Sequence, residues 1–265
     1  MLTYNALVEQ AKLRHMPPNK SRGILREYLQ ILLLEQLYKT SYGKQLYFTG
    51  GTYLRLLHDL KRFSEEMDFN ANKINEREFE KLCESLVTEL NRVGIKSGIS
   101  FAHWDNIFVS KFNFPDIEGF YEIKSKSTRK SGLMLKFEVN RSKWRVKTET
   151  EVISGYGKTY PCLCTEKSIL FADKIDALVK KGMGRHLYDI IFMLSNKYSV
   201  NHTVLKNLGY KNAPFKIIID CVNKLTTSFL KKQAKNLRPF LFDEQEARLI
   251  INAPTIVKKL IEKYK

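Results

Sequence analysis

Acidic residues and cysteines are scarce in this chain, and long apolar runs are missing. Only 28 Asp and Glu stand against 45 Lys and Arg, a formal net charge of +17 over 265 residues. A surplus of that size excludes indifference to polyanions and points to nucleic acid, with an acidic protein partner or plain solubility as the other uses of such a surface. Four cysteines, Cys83, Cys162, Cys164 and Cys221, are too few and too scattered for a disulfide framework. Cys162-Leu163-Cys164 does not have zinc-knuckle spacing, and strand alternation would put both thiols on one buried face. His15, His58, His103, His186 and His202 do not group with them, so no structural metal is expected. No run of about 18 apolar residues could span a membrane, and the first twenty residues lack the apolar centre of a signal peptide. The expected setting is the cytoplasm, with reduced thiols. Internal repeats and low-complexity tracts are lacking too, while a 43% hydrophobic share over this length suits one large domain or two small ones.

What is present concentrates between Tyr47 and Asn70, YFTGGTYLRLLHDLKRFSEEMDFN. Leu46 to Thr49 reads as a short buried strand, Gly50-Gly51 as a tight turn, and Thr52 as the N-cap of a helix from Tyr53 to Leu60. Exposed N–H groups and the positive end of that helix favour a phosphate group. Glu66 to Phe69 follows as a second strand, whose alternation sends Met67 and Phe69 into the core and Glu66 and Asp68 together to the other face. Two neighbouring carboxylates repel each other, and a divalent ion bridging them to substrate phosphates relieves that repulsion.

A paired glycine, a helix-sized spacer and two carboxylates one residue apart resemble the first signature of the polymerase-β-like nucleotidyltransferases. The longer string resembles the AbiEii family of toxin nucleotidyltransferases, whose members read GGTaLr and then R-F-S-E-D-L-D-F. Gly50, Gly51, Thr52, Leu54, Arg55, Arg62, Phe63, Ser64, Glu65, Asp68 and Phe69 match it, and Glu66 stands where the family usually has Asp. The resemblance implies nucleotide contacts at Gly50, Gly51, Thr52, Arg62 and Ser64, and Mg²⁺ or Mn²⁺ on Glu66 and Asp68. Enzymes of this superfamily carry a third metal-site carboxylate on a later strand. Leu133 to Val139 alternates cleanly, with Leu133, Leu135, Phe137 and Val139 on one face and Met134, Lys136 and Glu138 on the other, so Glu138 is the candidate.

Elsewhere, residues 3–14 and 21–40 read as helices, Ile74 to Arg92 as an amphipathic helix, and the stretch to Val146 as mostly strand. Lys124 to Gly132 is a basic loop, and an aromatic interleaves with cations from Arg141 to Lys147. Lys126, Arg129, Lys130, Arg141, Lys143 and Arg145 are therefore candidates for gripping nucleic acid, against the alternative of a solvated hairpin tip and edge. From about Thr165 the pattern is helical to the end, and the division is placed at 1–160 and 161–265.

Two helical residues contradict their surroundings. Lys174 falls inside the apolar stripe of the helix from Thr165 to Lys180, and Asp189 inside the almost wholly apolar helix Arg185 to Leu194. An internal Lys174–Asp189 ion pair, or an Arg185–Asp189 pair one helical turn apart, would account for both. The block ADKIDALVKKGMGRHLYDIIFML also resembles the second AbiEii region, where a helix bearing a Lys precedes R-D-x-Y-D. Lys174, Arg185, Tyr188 and Asp189 match, and His186 replaces the usual Asp. That resemblance implies that Lys174 contacts nucleotide phosphates and that Asp189 supports the site.

The expectation is thus a bilobed α/β protein, a polymerase-β-like nucleotidyltransferase domain on a small mixed sheet followed by a helical domain, with a basic cleft between them. The implied activity is metal-dependent transfer of a nucleoside monophosphate from an NTP to RNA, the acceptor being a tRNA 3′ end. Glu138 would help the acceptor hydroxyl lose its proton. The implied role is that of a toxin in a toxin–antitoxin or phage-defence pair, neutralised by a cognate antitoxin protein. The alternatives are a catalytically inactive relative that binds RNA or protein, and transfer of a nucleotide or phosphoryl group to protein hydroxyls.

Overall fold

Alternating apolar residues build a sheet whose inner face is largely aromatic. The computed structural model describes residues 1–123 and 132–264. In chain order its main elements are α1 (Tyr4–Leu13), α2 (Ser21–Lys39), β1 (Leu46–Thr49), α3 (Gly50–His58), β2 (Glu66–Ala71), α4 (Glu76–Arg92), β3 (Gly98–Trp104), β4 (Ile107–Pro115), α5 (Ile117–Phe120), β5 (Gly132–Arg141), β6 (Thr148–Gly155) and β7 (Lys158–Thr165). Helices α6 (Lys167–Lys181), α7 (Gly184–Ser195), α8 (His202–Asn207), α9 (Pro214–Asn223), α10 (Thr227–Leu237), α11 (Ala247–Ile251) and α12 (Ala253–Glu262) follow. By contacts the chain divides into Met1–Asp59 with Phe63–Thr165, and Leu60–Arg62 with Glu166–Lys265.

In the first unit seven strands form one mixed sheet, ordered β3-β4-β5-β2-β1-β7-β6 among the described residues. The centre of the sheet mixes directions, since β1 pairs with β2 antiparallel while β2 pairs with β5, and β1 with β7, in parallel. On the inner face Phe69 stacks on Phe137 with ring centroids 4.5 Å apart and meets Phe48 at 5.4 Å. Each such aromatic pair adds about 0.5–1.5 kcal/mol beyond the area it buries. Helix α2 packs against β5 and β7, and α4 against β3 and β4. Helix α2 is buried on nearly every side, from Ile24 to Leu37, as its continuous Leu/Ile run requires. Its buried Glu27 is satisfied by Arg55 of α3, Nε to Oε2 at 2.8 Å, and by Arg14 at 3.0 Å. Arg55 and Phe63, both part of the glycine-containing string, are thereby fold residues, for the Phe63 ring packs so closely on Gly23 that a Cβ there would fall 2.8 Å from it. The hairpin β6–β7 turns through Tyr156 and Gly157, with φ of 53° and 74°. Two successive positive φ angles are what a two-residue turn between right-twisted strands demands.

The second unit gathers around α7, which contacts α6, α10, α11 and α12. Its apolar circumference, Leu187, Ile190, Ile191, Met193 and Leu194, is consumed by those neighbours. The short segment Leu60–Arg62 joins this unit through a bridge between Arg62 and Leu241 and a bond from Phe242 N–H to the Lys61 carbonyl, 3.0 Å. No helix is long and apolar enough to cross a membrane among the described residues.

Candidate active site

The turn at Gly50 is demanded by Asp68. Antiparallel pairing sets Thr49 opposite Asp68, so the chain leaves β1 directly beside that carboxylate. A Cβ on Gly50 would lie 2.8 Å from Asp68 Cβ and 2.9 Å from its carboxyl carbon, and Gly50 has φ +83°. Space and backbone conformation therefore both require glycine. The helix starts here, at Gly50, and not at Tyr53, with Thr49 at the N-cap position. Thr52 is accordingly not the N-cap: it is fully buried inside α3, and its hydroxyl donates to the Glu66 carbonyl, tying the helix to the first residue of β2. Gly51 is buried in the first turn.

Glu66 and Asp68 occupy the face of β2 opposite Met67 and Phe69, which are 0% and 1% exposed. The parallel register of β2 with β5 sets Glu66 opposite Lys136 and Asp68 opposite Glu138, so these three carboxylates and Lys136 share this face, and β4 adds Lys111 opposite Lys136. Lys136 donates to Glu138 Oε2, and its Nζ lies 3.7 Å from Glu66 Oε1. Burial disfavours the Lys136 ammonium, but Glu138, Glu66 and Asp68 outweigh that and raise its pKa. Farther along the same face Asn70 donates to Thr165 Oγ1 at 3.2 Å. Lys136 is the participant that sequence reasoning passed over. Its signal was alternation itself, since Lys136 and Glu138 are two apart and must share a face.

Of the other residues assigned to nucleotide or nucleic acid, Ser64 accepts from Gln30 Nε2 through its carbonyl, 3.0 Å. At the far end of β5, Arg141 donates to the Asp105 carbonyl at 2.9 Å and lies over the Phe108 ring, 4.7 Å from its centroid. Arg141, Lys143 and Lys73 line a polar cavity of about 520 Å³ together with Asn72, Asn75 and Glu78. Lys143 and Arg145 are exposed. Lys126, Arg129 and Lys130 lie outside the described residues.

In the second unit Asp189 of α7 is completely buried under two cations. Arg62 Nε and Nη2 reach Asp189 Oδ1 and Oδ2 at 2.7 and 2.8 Å, and Lys174 Nζ of α6 reaches Oδ2 at 2.6 Å. Burial alone would raise the Asp189 carboxyl, but Arg62 and Lys174 hold it well below the usual carboxylate range. Lys174 is thus paired with Asp189, and the second partner is Arg62, brought in by the Leu60–Arg62 segment. Beside them His186 is 6% exposed, and neither ring nitrogen has a hydrogen-bond partner. Burial first, and then the charge of Lys174, push its pKa down to about 3, so it is neutral at ordinary pH. Tyr188 donates its hydroxyl to Glu246.

A different group, Glu76 and Glu80 of α4 with His103 of β3, brings one potential ligand atom from each within 4.8 Å of the others. His103 Nδ1 accepts the Val109 N–H at 3.4 Å, which leaves the proton on Nε2, 3.2 Å from Glu80. That arrangement is a hydrogen bond, and it occupies the nitrogen a metal would need.

Residues 32–250 match the family model described as nucleotidyl transferase AbiEii toxin, type IV toxin–antitoxin system. No curated protein matches the chain. Among solved structures it is similar to MenT4, a nucleotidyltransferase toxin from Mycobacterium tuberculosis H37Rv, with 18% identity, TM-score 0.60, and coverage of 99% of this chain and 90% of that one. It is also similar to JHP933 from Helicobacter pylori, with 18% identity, TM-score 0.54, and coverage of 91% and 94%.

Proposed function

The chain belongs to the AbiEii family of nucleotidyltransferase toxins of type IV toxin–antitoxin systems, and from that premise we propose that it transfers a nucleoside monophosphate from an NTP to an RNA acceptor, a tRNA 3′ end, on the Glu66–Asp68–Glu138 face. The observation that carries this reading is the juxtaposition of Asp68 with Glu138 by strand register and with Gly50 by close packing at the start of α3. The donor set fits a hard divalent ion, because all of its oxygens are carboxylate and the face already draws in one cation, Lys136. Glu66, Asp68 and Glu138 would hold Mg²⁺ or Mn²⁺, which when bound supplies charge neutralisation for the triphosphate and the attacking oxygen. The first-turn N–H groups of α3 favour phosphate oxygens, and Gly50 and Gly51 let a ligand approach the backbone. Lys174, steadied by Asp189, is read as a phosphate contact, and Arg62 as the residue that fixes Asp189.

In the reaction the acceptor hydroxyl oxygen forms a bond to the α-phosphorus, the bond from that phosphorus to the β-phosphate bridging oxygen breaks, pyrophosphate leaves, and the hydroxyl proton passes to Glu138. Such in-line transfer needs positioning and charge neutralisation more than a protein nucleophile. The net charge of +17 and the exposed cations at Lys143 and Arg145 favour RNA over a protein acceptor. Type IV membership supports a cognate antitoxin as partner, and the proposed setting is the cytoplasm, in a toxin–antitoxin or phage-defence pair. The test is to incubate the protein with total RNA, total protein and each of the four α-phosphate-labelled NTPs. Labelled RNA of tRNA size is the expected result, labelled protein would replace the acceptor, and no label would make the chain an inactive binding relative.

A further inference from the structure

We propose that Lys136 is a resident counter-cation of the carboxylate face, held where a divalent ion binds, so that metal enters only by displacing its ammonium from Glu138 and Glu66. This inference rests on the reading of Glu66, Asp68 and Glu138 as metal ligands and adds what governs their occupancy.

The argument begins from charge. Three carboxylates gathered by register on one sheet face repel one another. Lys136 is the cation that the same register places directly opposite Glu66 and two residues from Glu138, with Lys111 of β4 on its other side. It does more than a surface pair would, for it donates to Glu138 on its own strand and approaches Glu66 across the strand boundary at 3.7 Å. The group is only partly in water, with side-chain exposures of 27%, 29% and 26% for Lys136, Glu66 and Glu138, so screening does not erase these interactions. A divalent ion carries twice the charge of the ammonium and competes with it for the same carboxylate oxygens. That ion must take Glu66 and Glu138 from Lys136, and its affinity is lowered by whatever the ammonium contributes. The displaced ammonium, tethered beside the metal, then faces the anionic substrate that arrives with it. Loading would thereby be coupled to nucleotide, which restores a partner to Lys136.

The test measures binding of Mn²⁺ alone by the loss of free-ion electron paramagnetic resonance signal, and metal-free thermal stability, in the full-length wild type, Lys136→Met, Lys136→Arg and Asp68→Asn. Lys136→Met should bind Mn²⁺ about tenfold more tightly, because its competitor is gone, which corresponds to about 1.4 kcal/mol. It should melt lower than wild type without metal and recover when Mn²⁺ is added. Lys136→Arg keeps the charge and should bind no more tightly than wild type. Should Lys136→Met not fold, Lys136→Gln is read in its place. Equal or weaker Mn²⁺ binding by the neutral variant, with Asp68→Asn defective in binding, would overturn the counter-cation role and leave the metal face standing. Wild-type Mn²⁺ binding by Asp68→Asn would instead remove the metal face itself.

Discussion

Two charged clusters, one in each unit, are built on opposite plans. On the sheet, Glu66, Asp68 and Glu138 share a face with Lys136, and Glu66, Glu138 and Lys136 are each about a quarter exposed. In the helical unit, Arg62 and Lys174 both bond Asp189, which has no exposure at all. The first lies within reach of solvent, which suits exchange of one cation for another. The second is sealed by packing, where each charge depends on its partner because water cannot replace it. Identical chemistry, carboxylates against amines and guanidinium, is therefore open to exchange in one region and fixed in the other. Solvent access decides which.

The largest expected break in that contrast is Asp68→Asn. Loss of an anion from the sheet cluster should remove metal-dependent charge stabilisation of several kcal/mol, a fall of about a thousandfold or more in nucleotidyl transfer. The melting temperature should hold or rise, because Asn relieves repulsion and keeps the shape beside Gly50. Substantial transfer by this variant would show that the chemistry lies elsewhere.

The sealed cluster should respond in the opposite sense. Arg62→Met removes two bonds to Asp189, and leaving that carboxylate half-paired in the interior should cost on the order of 3–5 kcal/mol, read as a drop in denaturant midpoint. Lys174→Met should cost less, because Arg62 still grips both oxygens, while NTP affinity measured by calorimetry falls more sharply than stability. If Lys174→Met destabilises strongly and leaves NTP affinity unchanged, Lys174 is a structural partner only.

A third difference concerns acid. The folded His186 pKa, near 3, lies below its ordinary value of about 6.5, so between those values the unfolded chain takes a proton that the folded chain refuses. Stability should therefore fall by about 1.4 kcal/mol per pH unit as pH drops below about 6.5, and the loss should be complete near pH 3. Asp189 works the other way. Its depressed pKa adds stability that is fully present above about pH 4 and fades only in stronger acid, so it is silent between about pH 6.5 and 4, where most of the His186 effect develops. Comparing melting temperature against pH for wild type and His186→Asn isolates the term. Parallel curves would mean that His186 titrates normally.

Much of this was legible in the sequence, for reasons that differ by residue. Alternation along β2 and β5 assigned faces to Met67, Phe69, Glu66, Asp68, Phe137 and Glu138, because a period of two leaves no freedom once one face is apolar. Recognition of the glycine-containing string and of the Lys174 region led to the family and the α/β class that the comparisons show. The start of α3 was misplaced because Thr52 is a favourable capping residue, while the actual boundary is fixed by a tertiary contact, Asp68 against Gly50. The partnership of Arg62 with Asp189 spans 127 positions and depends on a three-residue segment joining the second unit, which no local pattern encodes. Lys136 was visible on the correct face, but its bond to Glu138 and its approach to Glu66 are properties of register.

The finest test of the contrast is Glu66→Asp, which shortens one ligand of the exposed cluster to the side chain the family usually carries. The bond from Thr52 to Glu66 uses the backbone carbonyl, so the anchor of α3 on β2 is indifferent to the substitution. The side chain gives up its 3.7 Å approach to Lys136, a partly exposed interaction worth less than about 1 kcal/mol, so stability should scarcely move. Drawing the carboxylate back by one methylene brings it closer to the strand that carries Asp68 and loosens the hold of Lys136. Transfer activity, measured as kcat/KM with RNA, should therefore be kept or raised a few-fold. A steep loss would show that this chain has tuned its metal face to the longer side chain, and absence of activity in both forms would favour a scaffold that binds without transferring.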